Sequence, residues 1–198
     1  MKKETFTESV SANRQRLLKY KIFSAGFSYP GDDFFKYFPQ WQSQRQRIIK
    51  TYDLLFRNKG IWLYTTEYTA QGTFQRAQAL AEVMGFYKAF GLEMSEDRPD
   101  SLFAELEFMH YLIFKKRYAL NHKLKDAQVK ADLCYQAQGK FFWGHLYPGA
   151  KAIAQIILKE KDAYVYKEIV QELLKFLGEE KKLFQNLNKE RVIGTPEF

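Results

Sequence analysis

The chain has 198 residues, 46% of them hydrophobic and 17% aromatic, with a formal net charge of +8. That supply of core-forming side chains excludes an intrinsically disordered protein. No apolar run reaches the roughly 18 residues that span a bilayer. The one cysteine, Cys134, excludes an internal disulfide and fits a reducing compartment such as the cytosol. The first residues, MKKETFTESVSANRQR, contain no apolar h-region, so no secretory signal is expected and the chain is expected to be cytoplasmic.

The pattern along the chain is helical throughout. A first helix is predicted over Ser9–Ser28, with Leu18, Ile22 and Ala25 inward and Tyr29-Pro30-Gly31 as its stop. A short helical piece covers Asp32–Phe38. A longer helix over Gln40–Arg57 turns Ile48, Tyr52 and Leu55 inward, and Gly60 is placed to end it in a left-handed conformation. The stretch IWLYTTEYTAQG (61–72) is rich in β-branched and aromatic residues but has no neighbouring strand to pair with. It is therefore expected to be an ordered loop or a short helical turn. Thr73 caps a helix to Phe90 whose inner face is Phe74, Ala77, Leu80, Met84 and Tyr87, and Gly91 closes it.

The central element runs from Glu93 to Phe114. Pro99 and then Asp100, a good N-cap, introduce a helix in which Leu102, Leu106, Met109 and Ile113 share one arc. Phe108 and Leu112 widen the arc on one side, Phe103 and Phe114 on the other, as in a buried helix. Glu105 falls inside that arc. An ionised carboxylate there is costly, so a buried hydrogen bond to a backbone amide, Tyr68 or Tyr87 is expected. A further helix spans Asp126–Leu146 with Leu133, Ala137 and Phe141 inward, and Pro148-Gly149 breaks the chain. Helices over Ala150–Lys159 and Asp162–Leu187 follow, with a loosely held tail from about Asn188. The sum is all-α: one domain over 1–198, a bundle of roughly seven to nine helices.

The basic residues are scattered, and the run Lys115-Lys116-Arg117 sits where a helix C-terminus favours cations. The acids Glu93, Glu96, Asp97, Asp100, Glu105 and Glu107 cluster around Arg98, and Asp100 is expected on an exposed acidic lip. Such a site suits a basic peptide. Tyr64, Tyr68, Phe86, Tyr87 and Phe90 stand beside those acids in sequence and are placed to line a groove for an amphipathic basic segment. Glu107-Phe108-Met109-His110 has the E-x-x-H spacing of a di-iron helix, but no second copy exists, so no metal is expected. There is no P-loop, no dinucleotide fingerprint and no nucleophile in a recognisable setting, so no catalytic activity is expected. A helical nucleic-acid-binding regulator is the alternative that the net charge supports; a metal-dependent helical-bundle enzyme is a third class.

Several segments together carry a resemblance. GFYKAFGL (85–92), EDRPD (96–100), ELEFM (105–109) and FFWGHL (141–146) resemble the TorD/DmsD/NarJ family of maturation chaperones for molybdenum-containing oxidoreductases. YKIFSAGFSYP (20–30), YDLLF (52–56) and LYTTEY (63–68) extend the similarity over most of the chain, nearest the branch serving nitrate reductases and type II dimethyl-sulfoxide-reductase-like enzymes. The resemblance implies an all-helical, cytosolic chaperone, monomeric or weakly dimeric, without a cofactor of its own. Such a chaperone binds the apo catalytic subunit and its twin-arginine signal peptide, and delays export until molybdopterin is inserted. Nucleic acid is not among the implied partners. The binding surface it implies takes Tyr64, Glu67 and Tyr68, then Phe86, Tyr87 and Phe90, then Arg98, Pro99, Asp100, Ser101 and Glu105, with His145 from the FFWGHL segment. One departure stands out: many relatives read Asp-His after the proline, whereas here Asp100 precedes Ser101. That removes the histidine to which guanine-nucleotide binding would be tied.

Overall fold

In chain order the helices are α1 (Lys2–Phe27), α2 (Asp32–Tyr37), α3 (Arg45–Tyr52), α4 (Thr66–Thr69) and α5 (Gly72–Ala89), followed by α6 (Leu102–Asn121), α7 (Ala127–Phe141), α8 (Tyr147–Lys159) and α9 (Val165–Ile193). This computed structural model describes the backbone of residues 2–93 and 98–193, and side chains within residues 13–93 and 98–185. Among the described residues there is no strand, only one isolated antiparallel bridge between Tyr64 and Ser101. The all-α bundle anticipated from periodicity is the fold.

Helix α6 is central, packed between α1 and α7, while α8 packs on α9. Leu106, Met109, Leu112 and Ile113 are fully buried, as their shared arc requires. With Phe141 and Phe142 they belong to one core that reaches Val170, Leu173 and Leu177 of α9. Phe103 and Phe114, which the helical wheel places on the edge of the same arc, instead open to solvent. Each lines a surface groove, Phe103 at the start of α6 and Phe114 in its second half. A buried ion pair ties the first helix to the last: Arg16 donates to both Glu180 oxygens at 2.6 and 2.7 Å, and Tyr20 donates to Glu180 Oε2 at 2.7 Å.

Several boundaries differ from the sequence expectation. The stretch expected as one helix over 40–57 passes through three windings: 3₁₀ over Pro39–Gln44, α over α3, and π over Asp53–Asn58. Ile48 and Leu55 are buried as expected. On α1, Leu18 faces solvent rather than the core, although Ala25 is buried. Helix α5 begins at Gly72 after Gln71, with no side-chain cap, so Thr73 is not its N-cap. Its inner stripe is Val83 and Tyr87, and Phe74, 82% exposed, faces water with Ala77 and Met84. Apolar residues occur on both faces of this helix, and only packing chooses between them. On α7, Leu133 is 56% exposed while Cys134, Ala137 and Phe141 are buried.

Pro148-Gly149 does not break the chain. A π-helical stretch, Phe142–Leu146, follows α7 directly and leads into α8, where Pro148 occupies the first turn. There its missing N–H is tolerated. Gly149 has a tertiary reason: a Cβ built on it would lie 2.3 Å from Thr65 Cβ. Only a glycine lets α8 approach the α4 segment this closely. Gly60 and Gly91 do take positive φ, 68° and 76°, and end their helices as expected. Helix α9 runs on to Ile193, past the expected end at Leu187, and residues 194–198 of the expected tail lie outside the described residues.

Candidate functional site

The segment between Gly60 and α5 is fixed to the start of α6 by backbone hydrogen bonds. Thr65 N donates to Asp100 O at 2.9 Å, and Leu102 N donates to Leu63 O at 2.8 Å. These bonds explain how the irregular segment 61–65 is held without a sheet: the chain entering α6 supplies backbone partners. Around that junction lies a polar clamp. Asp100 is fully buried and binds Arg98 with both oxygens, Nε at 3.0 Å and Nη2 at 2.9 Å. Arg98 Nη1 donates to Glu67 at 2.7 Å, and Glu67 also pairs with Arg76 at 3.0 Å. Asp100 further accepts from Thr66 N at 3.2 Å and Thr66 Oγ1 at 2.6 Å.

Asp100 is therefore not the N-cap of α6. Ser101 holds that position, its Oγ accepting from Ala104 N at 3.2 Å. The carboxylate of Asp100 caps a helix in trans, the short α4 that begins at Thr66. Nor is it part of an exposed acidic lip. The expected acidic cluster is dispersed: Glu105 is buried, Glu107 accepts from Lys21 and Ser24 on α1 at 2.6 and 2.8 Å, and Glu67 is held by two arginines. Glu96 and Asp97 lie outside the described residues.

Glu105 is fully buried, as its position in the apolar arc implied, but its partner is neither Tyr68 nor Tyr87. Thr65 Oγ1 donates to Glu105 Oε1 at 2.7 Å, and Oε2 has no hydrogen-bond partner among the described residues. Burial, with Asp100 nearby adding to it, pushes this carboxyl well above the usual carboxylate range. The tyrosines serve the same junction from outside. Tyr87 donates to Pro99 O at 2.7 Å, and Tyr68 donates to Trp62 O at 2.9 Å.

The remaining aromatic candidates are mostly structural. Phe86 and Tyr87 pack edge-on against Phe108 at 6.4 and 4.8 Å, and Phe90 meets it at 5.9 Å. His145 sits beside Phe86 and Phe141, with Nε2 3.9 Å from Glu82. Burial pushes its imidazole toward the neutral form. In the E-x-x-H segment, Glu107 is held by Lys21, and His110 Nδ1 lies 2.9 Å from Leu17 O. No cluster able to hold a metal occurs among the described residues.

An aromatic groove lies on the outer side of the clamp. Tyr29, Trp62, Tyr64 and Phe103 line a cavity of about 390 Å³ with Arg57 at its edge. The Arg98 guanidinium lies 4.2 Å from the Tyr64 ring, and that ring stacks on Trp62 at 6.4 Å. Trp62 is 54% exposed. Of the expected site residues, Tyr64 and Ser101 line this groove, Arg98 backs it, and Glu67, Pro99, Asp100 and Glu105 hold it from beneath. Tyr29, Trp62 and Phe103 were missed. The visible signal was a tryptophan in an irregular, otherwise well-anchored segment.

The model of the nitrate reductase delta subunit family matches residues 23–154, which contain the clamp, the groove and the Gly149 contact. The chain belongs to that family. Delta subunits are maturation chaperones for molybdoenzymes rather than catalysts. No curated protein and no solved structure gives a match to this delta-subunit chain. No helix among its described residues is long and apolar enough to cross a membrane.

Proposed function

We propose that this delta-subunit chaperone binds the apo catalytic subunit of a molybdopterin-dependent oxidoreductase in the cytoplasm. In this reading it holds the subunit, with its twin-arginine signal peptide, until the cofactor is in place, and carries no cofactor itself. The observation that supports this reading is the exposed aromatic groove formed by Tyr29, Trp62, Tyr64 and Phe103 on a rigid polar clamp. A rigid floor under exposed aromatic rings is the arrangement that binding hot spots favour.

The dispersal of the acids shifts the balance of forces within that reading. Glu67, Asp100 and Glu107 already have cationic partners within the chain. The apolar stretch of the signal peptide is then the main handle, and its paired arginines add a minor, screened contribution. The test is titration of a labelled signal peptide from a molybdoenzyme catalytic subunit into the chaperone. Trp62→Ala is expected to weaken binding by roughly 2 kcal/mol, a loss typical of a hot-spot aromatic, with the melting temperature unchanged. Affinity is expected to fall only slightly as salt rises. Trp62→Ala binding as well as the parent sinks the groove assignment, and a steep salt dependence would restore an electrostatic handle.

A further inference from the structure

A second apolar groove lies at the other end of α6. Phe90, Tyr111, Phe114, Tyr118, Leu124 and Leu133 line most of a cavity of about 540 Å³ between the C-terminal half of α6 and the N-terminal half of α7. Six of the exposed large hydrophobic side chains of the described residues crowd this end: Phe114, Tyr118, Leu120, Leu124, Val129 and Leu133. They are not needed for the fold, because the opposite faces of the same helices, through Met109, Ile113, Ala131 and Ala137, already fill the core.

The geometry is that of a seat for one more helix. Only residues 122–126 separate α6 from α7, so the two run as antiparallel neighbours with a seam between them. Phe114 and Tyr118 are one turn apart on one wall, and Lys130 and Cys134 are one turn apart on the other. A third helix lying in such a seam presents residues i, i+3 or i+4, and i+7 to it.

Charge identifies the occupant. Lys115 and Lys130 stand on opposite walls, and Lys123 and Lys125 lie on the connecting turn. Among the described residues none of the four pairs with a carboxylate. Lys115 donates to the Phe90 carbonyl at 3.3 Å, and the acids nearby in the chain are Asp126 on the turn and Asp132, which accepts from Gln128, two carboxylates against these four lysines. We propose that the α6–α7 groove docks an amphipathic helix of a partner protein whose apolar stripe is flanked by aspartates or glutamates. A second copy of this chain fits poorly, since its own net charge of +8 would face the same lysines. A flat lipid surface leaves the concave floor unfilled. The site is separate from the Trp62 groove and does not depend on the reading given to it.

The test uses the full chain and a fluorescein-labelled helical probe of roughly 14 residues, four turns, with a leucine stripe flanked by glutamates. A control probe carries lysines in place of the glutamates. The glutamate probe is expected to bind at one saturable site and the lysine probe roughly tenfold or more weaker. Leu133→Ser and Phe114→Ser, both at exposed positions, are expected to weaken the glutamate probe by roughly tenfold each while the chain melts as before. Lys115→Glu with Lys130→Glu is expected to reverse the preference between probes. Equal affinity for the two probes, or binding that ignores Leu133→Ser, overturns the proposal. So does Leu133-dependent sedimentation with phosphatidylglycerol vesicles, or Leu133-dependent self-association, in place of probe binding. Signal-peptide binding at Trp62 is expected to be unchanged by Leu133→Ser, which keeps the two sites separable.

Discussion

Replacing Asp100 with asparagine keeps the shape of the side chain and removes its charge, and the structure makes that a severe change. Asp100 is fully buried, chelated by Arg98, and accepts two further bonds from Thr66. Removing one member of a buried pair costs about 3–5 kcal/mol when the other charge is left stranded. Here the stranded charge is relieved in part, because the Arg98 side chain is 35% exposed and retains Glu67. Asparagine keeps one acceptor oxygen but turns its amide either toward Arg98, which has only donors, or toward Thr66, whose backbone N–H then loses its acceptor. A loss of about 2–3 kcal/mol follows from these offsets. For a chain of this size that lowers the melting temperature by roughly 4–12 °C. Ser101→Ala, which removes only the cap of α6, is expected to cost about 1 kcal/mol. Urea denaturation of both variants, with hydrogen exchange across residues 61–70, measures the difference. If Asp100→Asn melts with the parent, or costs less than Ser101→Ala, the charge of Asp100 does not hold the clamp and the argument fails.

Glu105 gives a pH test with a definite sign. Its folded value is raised above the ordinary 4.5, so the folded chain binds more protons than the unfolded chain above that pH. The contribution of Glu105 is fully present below about pH 4.5 and is lost as pH rises toward the folded value. Glu105→Gln is therefore expected to gain stability over the parent as pH rises above 4.5 toward the folded value, measured by urea midpoints; a gap independent of pH contradicts a buried neutral carboxyl. Gly149→Ala places a methyl 2.3 Å from Thr65 Cβ and is expected to cost about 1–3 kcal/mol by overpacking, seen in the thermal midpoint. An unchanged midpoint means that α8 can move away from α4 at no cost.

The features that were legible in the sequence are those decided within a few residues. Gly60 and Gly91 end helices because their left-handed φ is a local matter. The burial of Glu105 followed from the 3.6-residue period alone, since its neighbours on the wheel are Met109 and Leu112. The irregular turn at 61–72 was legible because no strand was near enough to pair with it. What the sequence could not decide depends on which distant groups arrive. Asp100 has the side chain of a local N-cap, yet Ser101 caps α6 because Asp100 is drawn to Arg98 and to Thr66, 34 residues earlier. Helix α5 carries apolar residues on two faces, and only its packing chose Val83 and Tyr87 over Phe74 and Met84. Six acids close in sequence read as one surface, but helix geometry turned Glu107 toward α1 and Glu105 into the core. Period and turn chemistry act over one or two turns of chain, whereas the pairing of charges and the exposure of Trp62, Phe103 and Phe114 are set by elements that meet only in the folded chain.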